Sequence, residues 1–445
     1  MTTVSTVVRA WWPLAASWAL MALELPAVSA FIARLPDPEV HLAAYGGIVF
    51  PLAILIEAPI IMLLAASTAL CQDASSYRRV RGFMLVAGLG LSLVHVVVVF
   101  SPLYSLIVRG IIGAPEEIVE PARWGLMAMP LWTFCIAYRR FQQGILIRFG
   151  HSRAVGVGTL LRLFATLAVL VIGYNLVAPG ALTGALAVQA GVLVEAIYAG
   201  LRVRSVVREH LQDTGEEKHS LDWKVFFSFY VPLALTPLFT ILAQPIGSTA
   251  LSNMPEDLES LAIWPPLYGM VFLLRCLGMG FNEIVVSHLG RPGAREALAR
   301  FAGILAFSTA FILLLMSVTP LADLYFSTVT ALAPDLASRA AAALWLTIPL
   351  PAFAALQSFF GGALVHARRT RGITEAVAIQ LTLLCIVLGI GVQTGRHPGL
   401  LVALTAYVVG NLGNTTWLYL RSRGILKNMR ALETRTRPAQ EGSET

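Results

Sequence analysis

Four ionisable side chains lie in the middle of long apolar stretches, where they are the residues best placed to do chemistry. They are Glu24, Glu57, Arg162 and Arg275. An ionised group at the centre of a bilayer costs roughly 2.5 to 3.5 kcal/mol, so each needs a counter-charge, water or a ligand. A buried carboxyl can take up a proton or a cation, and a guanidinium can hold an anion. These residues therefore favour ion binding over the making of covalent bonds.

Four further charges lie nearer the cytoplasmic ends of apolar stretches, and these are Arg139, Arg140, Glu195 and Glu283. Arg139 and Arg140 are interpreted as long side chains that reach lipid headgroups at the inner interface, with a site role as the alternative. Arg162 is either a positive site for an anion or the partner of Glu195 or Glu24. Glu24 is either a proton-coupling or cation-coupling group or a hydrogen-bonded carboxyl kept neutral by burial.

The chain matches itself without a gap when it is shifted by 219 residues. Pro115-Glu116 then falls on Pro334-Asp335, and Pro179-Gly180 falls on Pro398-Gly399. Two copies of one structural unit therefore make up the molecule.

A charge that only the fold needs is expected in both copies of the repeat, whereas a charge that serves a ligand need not be duplicated. The first-copy charges have uncharged counterparts, which are Ala243 for Glu24, Cys276 for Glu57, Leu381 for Arg162, Asn414 for Glu195, and Ser358 and Phe359 for Arg139 and Arg140. The counterpart of Arg275 is Ile56, the neighbour of Glu57. The hypothesis is that Glu57 and Arg275 meet in a central cavity, as a gating pair or as ligand and coupling groups; a static ion pair is the alternative.

Composition identifies the solvent around most of this chain as lipid. Hydrophobic residues make up 57% of the chain, charged residues 13%, and the mean hydropathy is +0.74. The pattern predicts an all-α integral membrane protein with twelve spans in two pseudosymmetric six-helix lobes. The predicted divisions are an N-terminal lobe at 1–208, a cytoplasmic linker at 209–222, a C-terminal lobe at 223–426 and a flexible tail at 427–445.

The basic residues predict the orientation. Loops on the side of the termini hold 23 of the 32 Lys and Arg residues, and the opposite loops hold five. The positive-inside rule therefore places both termini in the cytoplasm, and we expect the bacterial inner membrane. This distribution accounts for most of the net charge of +7. The expected partners are lipid headgroups and a small anionic substrate rather than nucleic acid, and the chain is expected to be a monomer.

An even number of spans per copy gives both copies the same orientation, which fits two architectures. One is the major facilitator fold, whose glycine-spaced loop is missing from Cys71 to Arg81. The other is the fold of the multidrug, oligosaccharidyl-lipid and polysaccharide (MOP) superfamily, which includes the MATE transporters. The sequence favours the MOP fold.

Several stretches resemble the progressive ankylosis protein family, which is associated with the MOP superfamily. They are Trp12-Pro13-Leu14, Leu42-Ala43 with Tyr45-Gly46, Gly144-Ile145-Leu146, Phe229 with Val231-Pro232-Leu233-Ala234-Leu235, and Gln244-Pro245-Ile246. The resemblance implies a secondary active transporter that exports small anions such as pyrophosphate, nucleoside phosphates or citrate. It also implies that the second and eighth helices line the central cleft.

No phosphate-binding loop, metal-ligand pair or nucleophile constellation stands out in the sequence, so no enzyme, catalytic residue, metal or cofactor is predicted beyond coupling to H⁺ or Na⁺. The alternatives are a flippase for a lipid-linked saccharide and a cation-coupled multidrug efflux protein. A membrane glycosyltransferase that uses Asp37 and Glu39 to bind a metal is a further alternative, although Asp37-Pro38-Glu39 is also a natural turn.

Overall fold

The computed structural model describes residues 2–211, 222–367, 369 and 371–441, and all regular secondary structure in these residues is helical. The first copy forms α1 (Val4–Ile32), α2 (Pro38–Leu70), α3 (Ala74–Phe100), α4 in two pieces (Glu116–Met127 and Trp132–Arg148), α5 (Ser152–Asn175) and α6 (Gly180–His210). The second copy forms α7 (Trp223–Leu251), α8 (Asp257–His288), α9 (Ala294–Val318), α10 (Pro334–His366), α11 (Arg371–Thr394) and α12 (Gly399–Glu441).

The helix boundaries confirm the internal repeat. Helices α5 and α11 start at Ser152 and Arg371 and end at Asn175 and Thr394, so both boundaries are 219 residues apart. The same offset relates the boundaries of α1 and α7. The predicted turns before α2 and α8 also match, because Asp37 and Glu256 both adopt the left-handed backbone conformation, with φ of 48° and 59°.

Nine helices within the described ranges are long and apolar enough to cross a membrane by length and composition. The other three are α4, α7 and α12. Helix α4 is interrupted and carries Arg139 and Arg140, and α12 carries Asn411 and Asn414. The apolar part found in α7 among the described residues is Ile241–Leu251. The twelve helical segments lie where the twelve spans were predicted.

Proline interrupts α1 and α2 immediately beside their carboxylates. Pro26 cannot donate a hydrogen bond to Ala22, and the α-helix breaks at Leu23, just before Glu24. Pro59 lies in a single 3₁₀ turn that follows Glu57 directly. Helices α7 and α8 continue without interruption through Pro245 and Pro265.

The chain forms two compact units whose boundaries differ from those of the predicted lobes. The first, here called the N-unit, contains Glu24–Pro265 and Thr330–Leu332. The second, called the C-unit, contains the residues up to Leu23, Pro266–Val329 and the chain from Ala333 onward. Most of the predicted linker, residues 212–221, lies outside the described residues, so the division at 209–222 stays a prediction.

The start of α1 packs inside the C-unit. Val7 is fully buried in a core formed with α8, α9 and α10. The indole of Trp11 packs edge-on against Phe301 at 5.3 Å, and its Nε1 donates a hydrogen bond to the Leu277 carbonyl at 2.9 Å.

Helix α7 packs inside the N-unit. Phe226 and Tyr230 both contact the ring of Phe83 on α3, with centroids 4.8 and 4.9 Å away. The Tyr230 hydroxyl donates to the Pro59 carbonyl at 2.7 Å. This carbonyl lies beside the break in α2, so α7 supports the segment that carries Glu57.

The last helix is longer than predicted. Helix α12 runs to Glu441, so residues 427–441, predicted as a flexible tail, are helical. The segment is rich in Lys, Arg, Ala, Leu and Glu, which have high helix propensity. Residues 442–445 of the predicted tail lie outside the described residues.

Candidate functional site

The N-unit joins Glu24 and Arg162, which are 138 residues apart in the sequence. Both oxygens of Glu24 accept hydrogen bonds from Arg162, one from Nε at 3.1 Å and one from Nη2. Thr166 Oγ1, one helical turn from Arg162, donates to Glu24 Oε1 at 3.0 Å. Glu24 is 8% exposed. Arg162 is therefore paired with the carboxylate of Glu24.

A second pair lies next to the first. Arg139 Nη1 donates to Glu195 Oε2 at 2.5 Å, and Gln143 Nε2 donates to Glu195 Oε1 at 2.9 Å. Arg162 Nη1 is 4.0 Å from Glu195 Oε2, which links the two pairs into one network.

Arg139 was expected to reach headgroups at the inner interface, and this expectation was wrong. Its side chain is 6% exposed and its counter-charge Glu195 is 1% exposed. Arg139 lies on the face of α4 that packs against α6, and an acid at that depth accepts a hydrogen bond from its Nη1.

Glycines allow α5 and α6 to approach closely enough to build this network. A methyl group added at Gly191 on α6 would overlap Thr166 Oγ1 and lie 3.0 Å from the Arg162 carbonyl oxygen. One added at Gly158 on α5 would lie 3.3 Å from Glu195 Cγ. The two glycines therefore fix the distance between the helix that carries Arg162 and the helix that carries Glu195.

Glu57 and Arg140 are less well satisfied than the four paired residues. Glu57 is 7% exposed, and its Oε2 has no hydrogen-bond partner. The same is true of Arg140 Nε and Arg139 Nε. Arg139, Arg140 and Arg162 all act electrostatically on Glu57. A buried polar atom without a partner costs about 1 to 3 kcal/mol, so these atoms mark the positions where a bound ion or polar ligand would gain most.

The charges of this cluster balance. Glu24, Glu57 and Glu195 face three arginines in the same unit, which are Arg139, Arg140 and Arg162. When all six groups are ionised the cluster is neutral. Adding or removing one proton or one ion leaves an uncompensated charge at a site of low polarity.

Arg275 lies in the C-unit among amides. Its Nη2 donates to Asn411 Oδ1 at 3.3 Å, and its Nε has no hydrogen-bond partner. Gln357 Nε2 donates to the same Asn411 oxygen at 3.2 Å and to Thr415 Oγ1 at 3.1 Å. At the repeat-equivalent position of Asn414, the N-unit carries the charged Glu195. The two copies thus use the same helix for different chemistry.

The structure brings five of the predicted site residues within hydrogen-bonding or electrostatic range of one another. They are Glu24, Arg139, Arg140, Arg162 and Glu195. Glu57 interacts electrostatically with the three arginines of this group. Glu57 and Arg275 belong to different compact units, so their predicted pairing stays a prediction. Sequence reasoning missed Gln143 and Thr166. Their spacing held a usable signal, because each lies four residues after a charged residue on the same helix, Arg139 and Arg162.

The predicted turn at Asp37 is present, and Glu39 lies in the first turn of α2. Within the described part of the chain, no group of three or more His, Cys, Asp or Glu side chains is arranged to hold a metal ion.

This architecture is a MATE-type fold. The chain is similar to an inward-facing multidrug resistance MATE family transporter of that superfamily, with a TM-score of 0.71 and 16% identity over 93% of this chain and 99% of that chain. It is also similar to a MOP superfamily transporter from Pyrococcus furiosus Vc1, with a TM-score of 0.62 and 15% identity over 96% and 97% of the two chains.

The lipid II flippase MurJ in an inward closed conformation is a further structural relative, with a TM-score of 0.63 and 13% identity over 94% of this chain and 90% of that chain. No protein-family model matches the sequence, and no curated protein matches it. The identities are low, so the likeness establishes the fold: a multi-pass, all-helical membrane protein of MATE type.

Proposed function

We propose that this protein is a secondary active transporter that exports small anions of the pyrophosphate, nucleoside phosphate or citrate kind. The observation that carries the proposal is the buried cluster of the N-unit, in which Glu57 Oε2, Arg139 Nε and Arg140 Nε have no hydrogen-bond partner. The MATE-type fold and the resemblance to the progressive ankylosis protein family support it.

The paired residues and the incompletely satisfied residues have different roles in this proposal. Glu24 with Arg162, and Glu195 with Arg139, hold the helices in register. Arg140 offers its guanidinium to the anion, because a guanidinium is always charged and fits carboxylate and phosphate oxygens. Arg275 is the corresponding group of the C-unit, where its Nε is buried without a partner.

Charge balance supports coupling to H⁺ or Na⁺. A multivalent anion that enters a neutral cluster leaves several negative charges uncompensated, and burial makes those charges expensive. Uptake of a proton or a sodium ion at Glu57 offsets one of them. Occupancy by the anion and occupancy by the cation are then linked, so a gradient of one can drive the other.

The test is transport by the full chain in proteoliposomes. We expect the wild-type protein to move labelled pyrophosphate or citrate faster than protein-free liposomes, and to respond to an imposed H⁺ or Na⁺ gradient. Glu57→Gln is expected to lower transport at least about tenfold and to abolish the response to the gradient. Arg140→Gln and Arg275→Ala are expected to lower the rate while the residual transport still responds.

The matched control is Glu116→Gln, which removes a carboxylate from an exposed pair with Arg109. Glu116 is 72% exposed and lies outside the candidate spans, so wild-type transport is expected. Unchanged transport by Glu57→Gln and Arg140→Gln would remove the site assignment. If the same liposomes moved a cationic dye or a lipid-linked saccharide and neither anion, the substrate class would be wrong.

A further inference from the structure

A basic pocket of about 410 Å³ lies in the C-unit where α10 ends and α11 begins, and the proposed transport function does not use it. Its lining residues are Leu364, Arg369, Arg371, Gly372, Glu375 and Arg421.

Glu375 organises the pocket. Arg421 donates to Glu375 Oε2 from Nε at 2.8 Å and from Nη2 at 2.5 Å. Arg371 Nε lies 3.2 Å from Glu375 Oε1, and Trp417 Nε1 donates to Oε2 at 3.1 Å. The guanidinium of Arg421 also lies over the Trp417 ring, 5.0 Å from its centroid. These contacts fix Arg421 before any ligand binds.

Gly372 makes room for this arrangement. A methyl group at this position would lie 3.2 Å from Arg421 Cγ, 3.3 Å from Arg421 Cβ and 3.3 Å from Leu364 Cδ1. The aliphatic part of Arg421 therefore packs directly on the backbone of α11, which holds its guanidinium at the mouth of the pocket.

The pocket has an excess of positive charge. Three guanidinium groups share one carboxylate, so the net charge is two positive units. The contacts with Glu375 use Nε and Nη2 of Arg421 and Nε of Arg371. Arg421 Nη1 and the two terminal amino groups of Arg371 remain available to an acceptor. Guanidinium donors in this arrangement match the oxygens of a phosphoryl group.

The position of Arg371 strengthens the argument. It is the first residue of α11, where the helix dipole is positive and a cation is destabilising. Arg369 is two residues before that helix start. A bound anion would offset both the repulsion among the arginines and the repulsion from the helix dipole.

The first copy of the repeat lacks most of the charged residues that line this pocket. The equivalents of Arg369, Arg371 and Glu375 are Gly150, Ser152 and Gly156, and only Arg421 has a basic counterpart, Arg202. The helix boundaries of α5 and α11 match all the same, so the fold of this region does not require the charges.

We propose that this pocket binds a phosphomonoester, supplied either by the headgroup of an anionic lipid or by a soluble phosphorylated molecule. The site is separate from the buried cluster of the N-unit, and its occupant acts as a ligand of the C-unit rather than as the transported substrate.

The experiment measures the thermal stability of the full-length protein in detergent with three additives. Dioctanoyl phosphatidic acid carries the phosphomonoester on lipid tails, glycerol 3-phosphate carries it without tails, and dioctanoyl phosphatidylcholine carries tails without the monoester. A ligand of the folded state raises the unfolding temperature by mass action, and we expect a rise of about 2 °C or more with a phosphomonoester. Phosphatidylcholine is expected to give a smaller rise.

Arg371→Gln tests whether the pocket is responsible. Arg371 is 92% exposed, so the variant is expected to fold. Loss of one charge-assisted hydrogen bond should raise the half-maximal ligand concentration about tenfold. Arg300→Gln is the matched control, since it removes an exposed arginine from a surface pair with Glu296 elsewhere in the C-unit and should leave the titration unchanged.

The outcomes separate the two sources. A rise with phosphatidic acid alone that Arg371→Gln weakens identifies a lipid headgroup, and an equal rise with glycerol 3-phosphate identifies a soluble ligand. No rise with either phosphomonoester, or equal weakening by Arg300→Gln, overturns the proposal. Transport by Arg371→Gln in proteoliposomes is a separate readout, so the proposed function can fail while this site stands, and the reverse.

Discussion

Arg139 Nη1 lies 2.5 Å from Glu195 Oε2, and neither side chain is more than 6% exposed. The pair joins α4 to α6 at a depth where water cannot solvate either charge. Each group replaces the hydration of the other, and Gln143 provides a further hydrogen bond to Glu195. Both residues have uncharged counterparts in the second copy, Ser358 and Asn414, so an ion pair at this place belongs to one copy only.

Removing one member of this pair should destabilise the protein more than removing both. Arg139→Leu or Glu195→Leu leaves a buried charge without its partner, which costs about 3 to 5 kcal/mol. The double variant leaves no unpaired charge and should cost less than either single change. Unfolding in mixed micelles with increasing dodecyl sulfate measures all three. The same cycle at the exposed Glu296 and Arg300 pair should show no measurable coupling. Additive effects at Arg139 and Glu195 would contradict the prediction.

Glu24 and Glu57 should differ in what they contribute to stability. Glu24→Gln weakens two hydrogen bonds from Arg162 and is expected to lower the unfolding temperature. Glu57→Gln also leaves one positive charge uncompensated, but it replaces a carboxylate whose Oε2 is unsatisfied, so it should lower the unfolding temperature less than Glu24→Gln does. Thermal unfolding of the two variants in one detergent decides the matter. A larger loss for Glu57→Gln would show that Glu57 is a structural group.

Gly191→Ala should disturb the buried cluster through α5. The added methyl group would overlap Thr166 Oγ1, which hydrogen-bonds Glu24, and so would force α5 and α6 apart. Overpacking of this kind costs about 1 to 3 kcal/mol. Gly156→Ala is the control, because nothing lies within 4 Å of the position and alanine favours the helix. Thermal stability should fall in the first variant and hold or rise in the second; equal values would argue against close helix packing at Gly191.

The carboxyl of Asp73, which caps the N-terminus of α3, is expected to make a pH-dependent contribution to stability. Burial raises the pKa of its carboxyl, but hydrogen bonds from Ser76 and Ser75 outweigh this and hold the pKa below its usual value of 3.8. Because the folded-state pKa is depressed, the stabilisation is complete above the unfolded pKa and is lost as pH falls through the folded one.

The pH-dependent stabilisation by Asp73 can be measured by comparing the wild type with two variants of its capping box. Asp73→Asn keeps an N-cap acceptor for the Ser76 backbone N–H and should flatten the dependence of stability on pH below about 5. Asp73→Ala should cost about 1 kcal/mol at neutral pH. Identical acid profiles for the wild type and Asp73→Asn would show that other carboxyls control this range.

Much of the fold could be predicted from the sequence because apolar length and the 219-residue repeat are strong signals. They predicted twelve helical segments, and the sequence also indicated the turn at Asp37. The sequence could not predict which compact unit each end of a helix joins. That choice depends on side-chain packing such as Trp11 against Phe301, which no periodicity encodes.

The sequence could predict which residues form the candidate site but not which of them pair. Charged residues are rare inside the apolar stretches, and this alone identified Glu24, Glu57, Arg162 and Glu195 as buried charges. Whether Arg139 reaches the headgroups or a buried partner depends on its orientation around α4, since a shift of one residue turns a helical side chain by about 100°. Arg140 is the next residue, yet it forms no ion pair like that of Arg139 among the described residues. Sequence position could not distinguish the two arginines.

The composition of the two compact units constrains how the protein is made. Trp11 packs against the core of the C-unit, which includes Phe301 and residues of α10 that are synthesised long after it. Trp11 therefore enters the bilayer before the residues that it packs against. Its native contacts can form only after α9 and α10 have been inserted. Cutting the gene between the two repeats would give two fragments, neither of which holds a complete core, and function would require both to meet again in one membrane.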